Sequence, residues 1–183
     1  MALLTLLVMT GCGYSLQHRL KTGFDNPQGI FVPIFDNETD EVGAERFFTN
    51  ALIRELQSRG LGTLSSPRQG AYKLQGTVTR IGYVPAASTP TPYNGLQDYR
   101  RLPTEIVLDV DVTLRLTDPA SGKVLWTQKF SNFRRVPGVV DRTYNYEAPS
   151  SVGVLQQSLI ESQYAGIARD MMRDVYDAMM ELF

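Results

Sequence analysis

The single cysteine of the chain, Cys12, is the residue whose type and position point most directly to chemistry. It follows an apolar run, residues 1–11, that ends in the small residue Gly11, and polar sequence begins at Gly13. An apolar run that ends at a small-residue cleavage point is typical of a secretory signal peptide. A bacterial lipoprotein signal peptide requires one thiol at that place, because the sulfur carries a diacylglycerol and the freed amine is acylated.

The pattern therefore predicts a lipoprotein signal peptide over residues 1–11 and a lipidated tether over residues 12–29. Stable anchoring takes two or more chains, since each buried methylene contributes only about 0.8 kcal/mol. No Lys or Arg precedes the apolar run, so we expect the true start codon to lie upstream. The alternative is a buried terminus with an ordinary core cysteine. A transmembrane helix is not expected, because the run is shorter than the roughly 20 residues needed.

Few other side chains point to chemistry. Asp109 and Asp111 stand two residues apart on a predicted strand, so both carboxylates share one face and could form an acid–base pair. Alternating charge on the solvated face of a strand is the simpler interpretation. The lone histidine, His18, lies in the predicted tether and is expected to be solvated. With no nucleophile elbow, Gly-rich phosphate loop or His pair, we predict no enzymatic activity, no metal and no cofactor beyond the lipid on Cys12.

Basic side chains occur close together at three places in the second half of the chain. They are Arg100 and Arg101, Lys123 and Lys129, and Arg134 and Arg135. Such clusters clamp phosphate groups in some proteins and are simply solvated in others. The 18 basic and 19 acidic residues give a formal net charge of −1, so no overall field favours nucleic acid.

Hydrophobic periodicity predicts the elements that position these side chains. Strands are predicted at 30–35, 72–84, 104–117 and 123–134, and helices at 41–59 and from 150 or 151 to the C-terminus. The order is β-α-β-β-β-α, with the first two strands parallel and the later connections antiparallel. These elements predict an α+β two-layer sandwich, a mixed four-stranded sheet with two helices packed on one face, forming a single domain over 30–183. A proline-containing segment, 85–103, has no period and is predicted to be a long connection.

Several stretches together carry a resemblance to a known family. They are Cys12-Gly13-Tyr14-Ser15-Leu16, residues 30–39, the helix end Leu52-Ile53-Arg54-Glu55-Leu56, Leu74-Gln75-Gly76 and the long C-terminal helix. In these the chain resembles the LptE family, the lipopolysaccharide-assembly lipoproteins of the Gram-negative outer membrane. The 30–39 stretch is also similar to that of other envelope lipoproteins, including curli-secretion and peptidoglycan-synthase activator types.

The resemblance implies a protein that sits in the lumen of an LptD-type β-barrel as a plug, binds lipopolysaccharide and helps to pass it to the outer leaflet. It implies an outer-membrane location on the periplasmic side, held by the lipid on Cys12. Gly13, where inner-membrane lipoproteins of enteric type carry Asp, fits that destination. The alternative is an outer-membrane lipoprotein that regulates a periplasmic cell-wall synthase or another envelope assembly factor.

If the resemblance holds, the 85–103 connection is predicted to contact the barrel, because aromatic and Arg side chains dominate interface hot spots. The candidate anchors are Tyr93, Tyr99, Arg100 and Arg101. The basic side chains of the last strand and its hairpin are predicted to meet the phosphates of lipid A or of the core. These candidates are Lys123, Lys129, Arg134 and Arg135.

Overall fold

The structure, a computed structural model, describes residues 29–67, 71–90, 101–118, 120–137 and 149–181. Its strands are β1 (Ile30–Phe31), β2 (Asp36–Asn37), β3 (Thr63–Leu64), β4 (Tyr72–Pro90), β5 (Arg101–Thr117) and β6 (Val124–Pro137). Its helices are α1 (Ala44–Ser58) and α2 (Pro149–Met180). The predicted signal peptide, the tether as far as residue 28, Cys12 and His18 lie outside the described residues.

The sheet is mixed, as predicted, but the predicted count of four strands is wrong, since the described residues form six. Their order is β3-β1-β4-β5-β6, with β2 also pairing with β4. β1 and β2 run parallel to β4, whereas β4, β5 and β6 are antiparallel. The strand predicted over 30–35 is split because Pro33 lacks a backbone N–H and cannot donate to a ladder. The two-residue β3 is too short to leave a periodic pattern.

The predicted connection over 85–103 is wrong at both ends. β4 continues to Pro90 and β5 begins at Arg101, and these two residues are paired. Register shifts on either side of Ala87 accommodate the irregular, proline-containing ladder. The last residues of β4 are Ala, Ser, Thr and Pro, which alternate neither in size nor in polarity. The sequence pattern therefore did not predict a strand there. Residues 91–100, with Tyr93, Tyr99 and Arg100, lie outside the described residues.

The core lies between one face of the sheet and the two helices. The strand predicted over 104–117 is confirmed as part of β5, and every second residue along it is buried, with Leu108, Val112 and Leu114 having no exposed surface. Buried α1 residues Phe48, Leu52 and Leu56 and buried α2 residues such as Ile167, Met171, Val175 and Met179 belong to the same cluster. Each buried side chain of this size contributes about 1.5–3 kcal/mol. The plain two-layer description fails at the far end of β4, where Val84 to Ala87 are exposed on both faces.

The ends of α1 follow from local chemistry. Asn37 donates from its amide to Glu41 O at 2.8 Å and accepts from the Thr39 backbone N–H at 3.0 Å, which orders the turn between β2 and α1. The helix begins at Ala44 rather than at Glu41, because Gly43 has a φ of 90° that is incompatible with a helical turn.

Gly60 ends α1, directly after the predicted helix range of 41–59. With a φ of 82°, it donates its N–H to Gln57 O at 3.1 Å, while Leu61 donates to Leu56 O at 2.9 Å. This pair of bonds is a Schellman motif. None of the helices in the described ranges has the length and apolar character needed to cross a bilayer.

Candidate functional site

One face of β4, β5 and β6, here called the outer face, points away from the helices and is set by a bulge at Thr79. Val78 pairs with Val112 and Arg80 with Asp111, so Thr79 is an extra residue in β4. The Thr79 hydroxyl donates to the Asp111 carbonyl at 3.2 Å. Because side chains alternate along a strand, the extra residue turns Arg80 outward and Tyr83 inward.

Three ion pairs cross the outer face, with the acidic partners on β5. Arg80 lies 2.5 Å from Asp109, Lys129 lies 2.8 Å from Asp111, and Arg135 lies 3.6 Å from Glu105. Hydrogen bonds from Lys129 and Ser131 hold the pKa of Asp111 below its usual range. Asp109 and Asp111 therefore each face a base on a different neighbouring strand. Such exposed pairs contribute about 0–1 kcal/mol each, so they set charge pattern more than stability.

An exposed aromatic side chain stands among these ion pairs. Phe133 is 66% exposed and pairs across the ladder with Asp109. Val84, 52% exposed, pairs with Val107, and Val107 in turn pairs with Arg135. We call Phe133, Val84 and Val107 with the flanking ion pairs the outer-face patch. An aromatic anchor with a polar surround is typical of protein–protein interfaces.

The four basic candidates do not converge on one site. Lys129 and Arg135 lie on the outer face within ion pairs, and Lys123 lies in the exposed hairpin between β5 and β6. Arg134 points inward, because it is adjacent to Arg135 on a strand. Its guanidinium donates to Asp170 Oδ2 at 2.8 Å.

Arg134 passes over α2 at Gly166, where any Cβ would collide with the guanidinium. The same side chain reaches Gln163 Oε1 at 3.5 Å, and so links β6 to α2. Of the candidate barrel anchors, only Arg101 falls among the described residues, at the first position of β5. Whether any of these residues binds barrel or phosphate stays a prediction.

A family model described as "LptE: Lipopolysaccharide-assembly" matches residues 28–181. The chain belongs to the LptE family. The match begins just before β1 and ends just after α2, so it spans the whole fold described above. The resemblance drawn from the sequence is thereby confirmed.

Solved structures that show some similarity to this LptE-family chain include two lipoproteins. A putative lipoprotein from Caulobacter crescentus is 15% identical, with 80% of this chain and 88% of that chain covered and a TM-score of 0.46. Rare lipoprotein B from Shewanella oneidensis is 12% identical, with 83% and 98% covered and a TM-score of 0.46. No curated protein sequence matches the chain significantly.

In this LptE-family chain a hydrogen-bonded cluster, not foreseen from the sequence, ties the far end of β4 to α2 and to the turn before α1. The Tyr83 hydroxyl donates to Glu41 Oε1 at 2.7 Å and accepts a short hydrogen bond from Tyr164. Burial raises the pKa of Tyr164 to about 12, and burial with the Glu41 hydrogen bond raises the pKa of Tyr83 well above its usual range. Within the described ranges, no group of three or more His, Cys, Asp or Glu residues could hold a metal ion.

The tyrosine cluster predicts alkaline sensitivity of the LptE-family fold. Both phenols have a higher pKa in the folded state than the ordinary tyrosine value near 10. The folded state therefore favours their neutral forms, and this preference contributes to the free energy of unfolding. That contribution is complete below about pH 10 and is lost as the pH rises through about 12, the folded pKa of Tyr164. The free energy of unfolding in urea is expected to be level from pH 7 to 9 and to fall above pH 10.

The matched variant is the double substitution Tyr83→Phe with Tyr164→Phe, which removes both ionisable hydroxyls and keeps both rings. We expect its stability to fall less steeply above pH 10 than that of the unmodified protein. Parallel curves for the two proteins would contradict the prediction.

Proposed function

We propose that this LptE-family protein is an outer-membrane lipoprotein that plugs and stabilises an LptD-type β-barrel and binds lipopolysaccharide during delivery to the outer leaflet. The observation that carries the proposal is the match of the lipopolysaccharide-assembly family model over residues 28–181. Its tether is the lipid on Cys12, and its partners are the barrel and lipopolysaccharide.

The chemistry of the outer face supports a polar protein environment as its partner. The lumen of a transmembrane β-barrel is polar. The basic side chains Arg80, Lys129 and Arg135 each have an acidic partner, so burial of this face would not isolate those charges. Phe133 offers the large apolar anchor that interface hot spots use.

The length of the β4–β5 ladder supports contact through the segment that joins these strands. The 17 residues of β5 span roughly 55 Å at the usual rise of an antiparallel strand. The ladder runs to the pair Pro90 and Arg101, so Arg101 stands at its end. This position favours Arg101 as a barrel anchor, and the other candidate anchors, Tyr93, Tyr99 and Arg100, precede it closely in the sequence.

Barrel binding is tested by purifying the tagged full-length chain from outer membranes and identifying the proteins recovered with it by mass. A large β-barrel in stoichiometric amount is the expected result. Phe133→Asp and deletion of Asn94 to Arg101 are each expected to lower barrel recovery several-fold, because they remove a hot-spot aromatic or the joining segment.

The matched control for Phe133→Asp is Val42→Asp. Val42 is 99% exposed and lies beside the start of α1, away from the outer face. It is expected to leave recovery unchanged. Equal recovery from all variants would argue against this interface, and recovery of a cell-wall synthase in place of the barrel would favour the regulator alternative.

Lipopolysaccharide binding is expected to depend most on Lys123 among the basic candidates with described side chains. Phosphate must compete with Asp111 for Lys129 and with Glu105 for Arg135, whereas Lys123 forms no ion pair in the part of the chain that the structure describes. Lys123→Glu is expected to weaken binding several-fold at low salt and much less at high salt, because exposed charges are screened.

The measurement is the lipopolysaccharide affinity of the purified protein at several salt concentrations. Arg173→Glu, an exposed charge reversal on α2, is the control and is expected to bind normally. The basic candidates would be removed from the proposal if the affinity stayed the same after substitution of each of them in turn: Lys123, Lys129, Arg134 and Arg135.

A further inference from the structure

The solvent side of the seam between α1 and α2 forms a groove. The helices run side by side in the same direction, with Phe47 5.8 Å from Tyr164 between ring centroids and the Arg59 guanidinium 5.0 Å from the Tyr176 centroid. Two adjoining hollows of about 370 and 380 Å³ open along this seam. They share Phe47 and Asn50, so the groove is continuous.

The hollow nearer the end of α1 is lined by apolar, polar and basic side chains from both helices. Ala51 of α1 and Ala165 of α2 are small and leave room between the helices, while Phe47 closes one end. Arg54 projects from one helix and Arg169 from the other. Because residues three or four apart share a helix face, Phe47, Ala51 and Arg54 form one stripe.

The uncompensated charge of this hollow is positive. Arg54 and Arg169 are exposed, and neither forms an ion pair within the ranges that the structure covers. Glu55, the carboxylate that lines the hollow, is held by Arg59 at 3.0 Å. Glu41 and Glu161 line the neighbouring hollow, and Glu41 accepts from Tyr83.

We propose that this hollow binds the phosphomonoester headgroup of a lipid, with Arg54 and Arg169 donating to the phosphoryl oxygens from opposite sides. A phosphomonoester carries about −1.5 to −2 charge at neutral pH, which matches two unpaired guanidinium groups. Their planar forks fit phosphate in bidentate fashion. The first apolar atoms of the lipid would contact the side chains of Ala51, Ala165 and Phe47. A peptide helix is a less suitable ligand, because a hollow of about 380 Å³ is small for one. The phosphates of lipid A belong to this ligand class, so the inference rests on the proposed function and adds to it a second binding site, which lies apart from the outer-face patch.

The probe is dihexanoyl phosphatidic acid, a water-soluble lipid phosphomonoester, titrated calorimetrically into the full-length protein in nonionic detergent. Dihexanoyl phosphatidylcholine, which lacks the monoester, corrects for partition into the micelle. Arg54→Ala and Arg169→Ala are each expected to weaken binding about tenfold, a typical loss for a charge-assisted hydrogen bond. The affinity of Arg54→Lys is expected to lie between those of the unmodified protein and Arg54→Ala, because Lys keeps the positive charge but lacks the planar, two-pronged guanidinium.

The matched control is Arg115→Ala, which removes an exposed guanidinium from the outer face and is expected to bind the probe normally. Barrel recovery is expected to be unchanged in Arg54→Ala and Arg169→Ala, so failure of this site and failure of the proposed function are distinguishable. Binding that survives both substitutions would overturn the site. Equal affinity for inorganic phosphate would overturn the lipid assignment, and displacement of the probe by a polyglutamate peptide would assign the groove to an acidic protein segment instead.

Discussion

Substitution of Gly76 by valine is expected to lower the free energy of unfolding by about 3 kcal/mol, the upper part of the range for overpacking a core. Gly76 lies on the inner face of β4 and pairs with Leu114. The ring of Phe35, 2% exposed, occupies the space that a Cβ at Gly76 would need. The Phe35 backbone N–H donates to Thr49 Oγ1 at 2.9 Å and fixes the main chain, and the buried ring has little free space to turn into within the close-packed core. Urea unfolding of the purified protein measures the loss.

Two companion variants separate this clash from a general effect of losing a glycine. Gly62→Ala is expected to be nearly neutral, since the nearest atom to its new Cβ is the Gly29 Cα at 3.9 Å. Phe35→Ala combined with Gly76→Val is expected to cost less than the sum of the two single changes, because the smaller side chain frees the space. Additive losses would show that the two residues do not compete for one volume.

Substitution of Cys12 by serine is expected to abolish lipid attachment and to release the protein from membranes. Serine cannot form the thioether, and two or more chains supply the anchoring free energy. Metabolic labelling with a radioactive fatty acid and sedimentation of membranes washed in high salt are the measurements. Ser15→Ala, a change three residues away, is expected to keep both the label and the membrane association. Normal labelling of Cys12→Ser would contradict the lipoprotein prediction.

Regular patterns in the sequence were enough to predict the main elements. The alternation over 104–117 and the helical spacing of Phe48, Leu52 and Leu56 depend only on which face is buried, and both are confirmed. Positions that depend on pairing with distant segments were not predictable. β3 exists because it finds β1 as a parallel neighbour, and the ends of β4 and β5 pair without any hydrophobic alternation.

The candidate site was predictable only as a set of residue types. Strand alternation alone places Arg134 and Arg135 on opposite faces, but it does not tell that Arg134 reaches Asp170 on α2. The Tyr83, Glu41 and Tyr164 cluster joins three elements that are far apart in sequence, so no local pattern could reveal it. The exposure of Phe133 could not be predicted either, because an aromatic residue in a strand is usually expected to be buried in the core.

The extra residue at Thr79 has a consequence for the divergence of related chains. Because Thr79 has no partner on β5, the β4 side chains beyond it lie on the opposite faces from those that strict alternation along the numbering would give them. Tyr83 faces α2 for this reason. A deletion of Thr79 itself would leave Val78 and Arg80 as neighbours with their present partners, so every later position would keep its face. A one-residue deletion elsewhere in β4 that leaves the bulge in place would instead exchange the solvent side and the helix side for the positions beyond it. In an alignment of this strand, a one-residue gap at Thr79 therefore marks loss of the bulge, whereas a gap at a paired position marks an inversion of the surface.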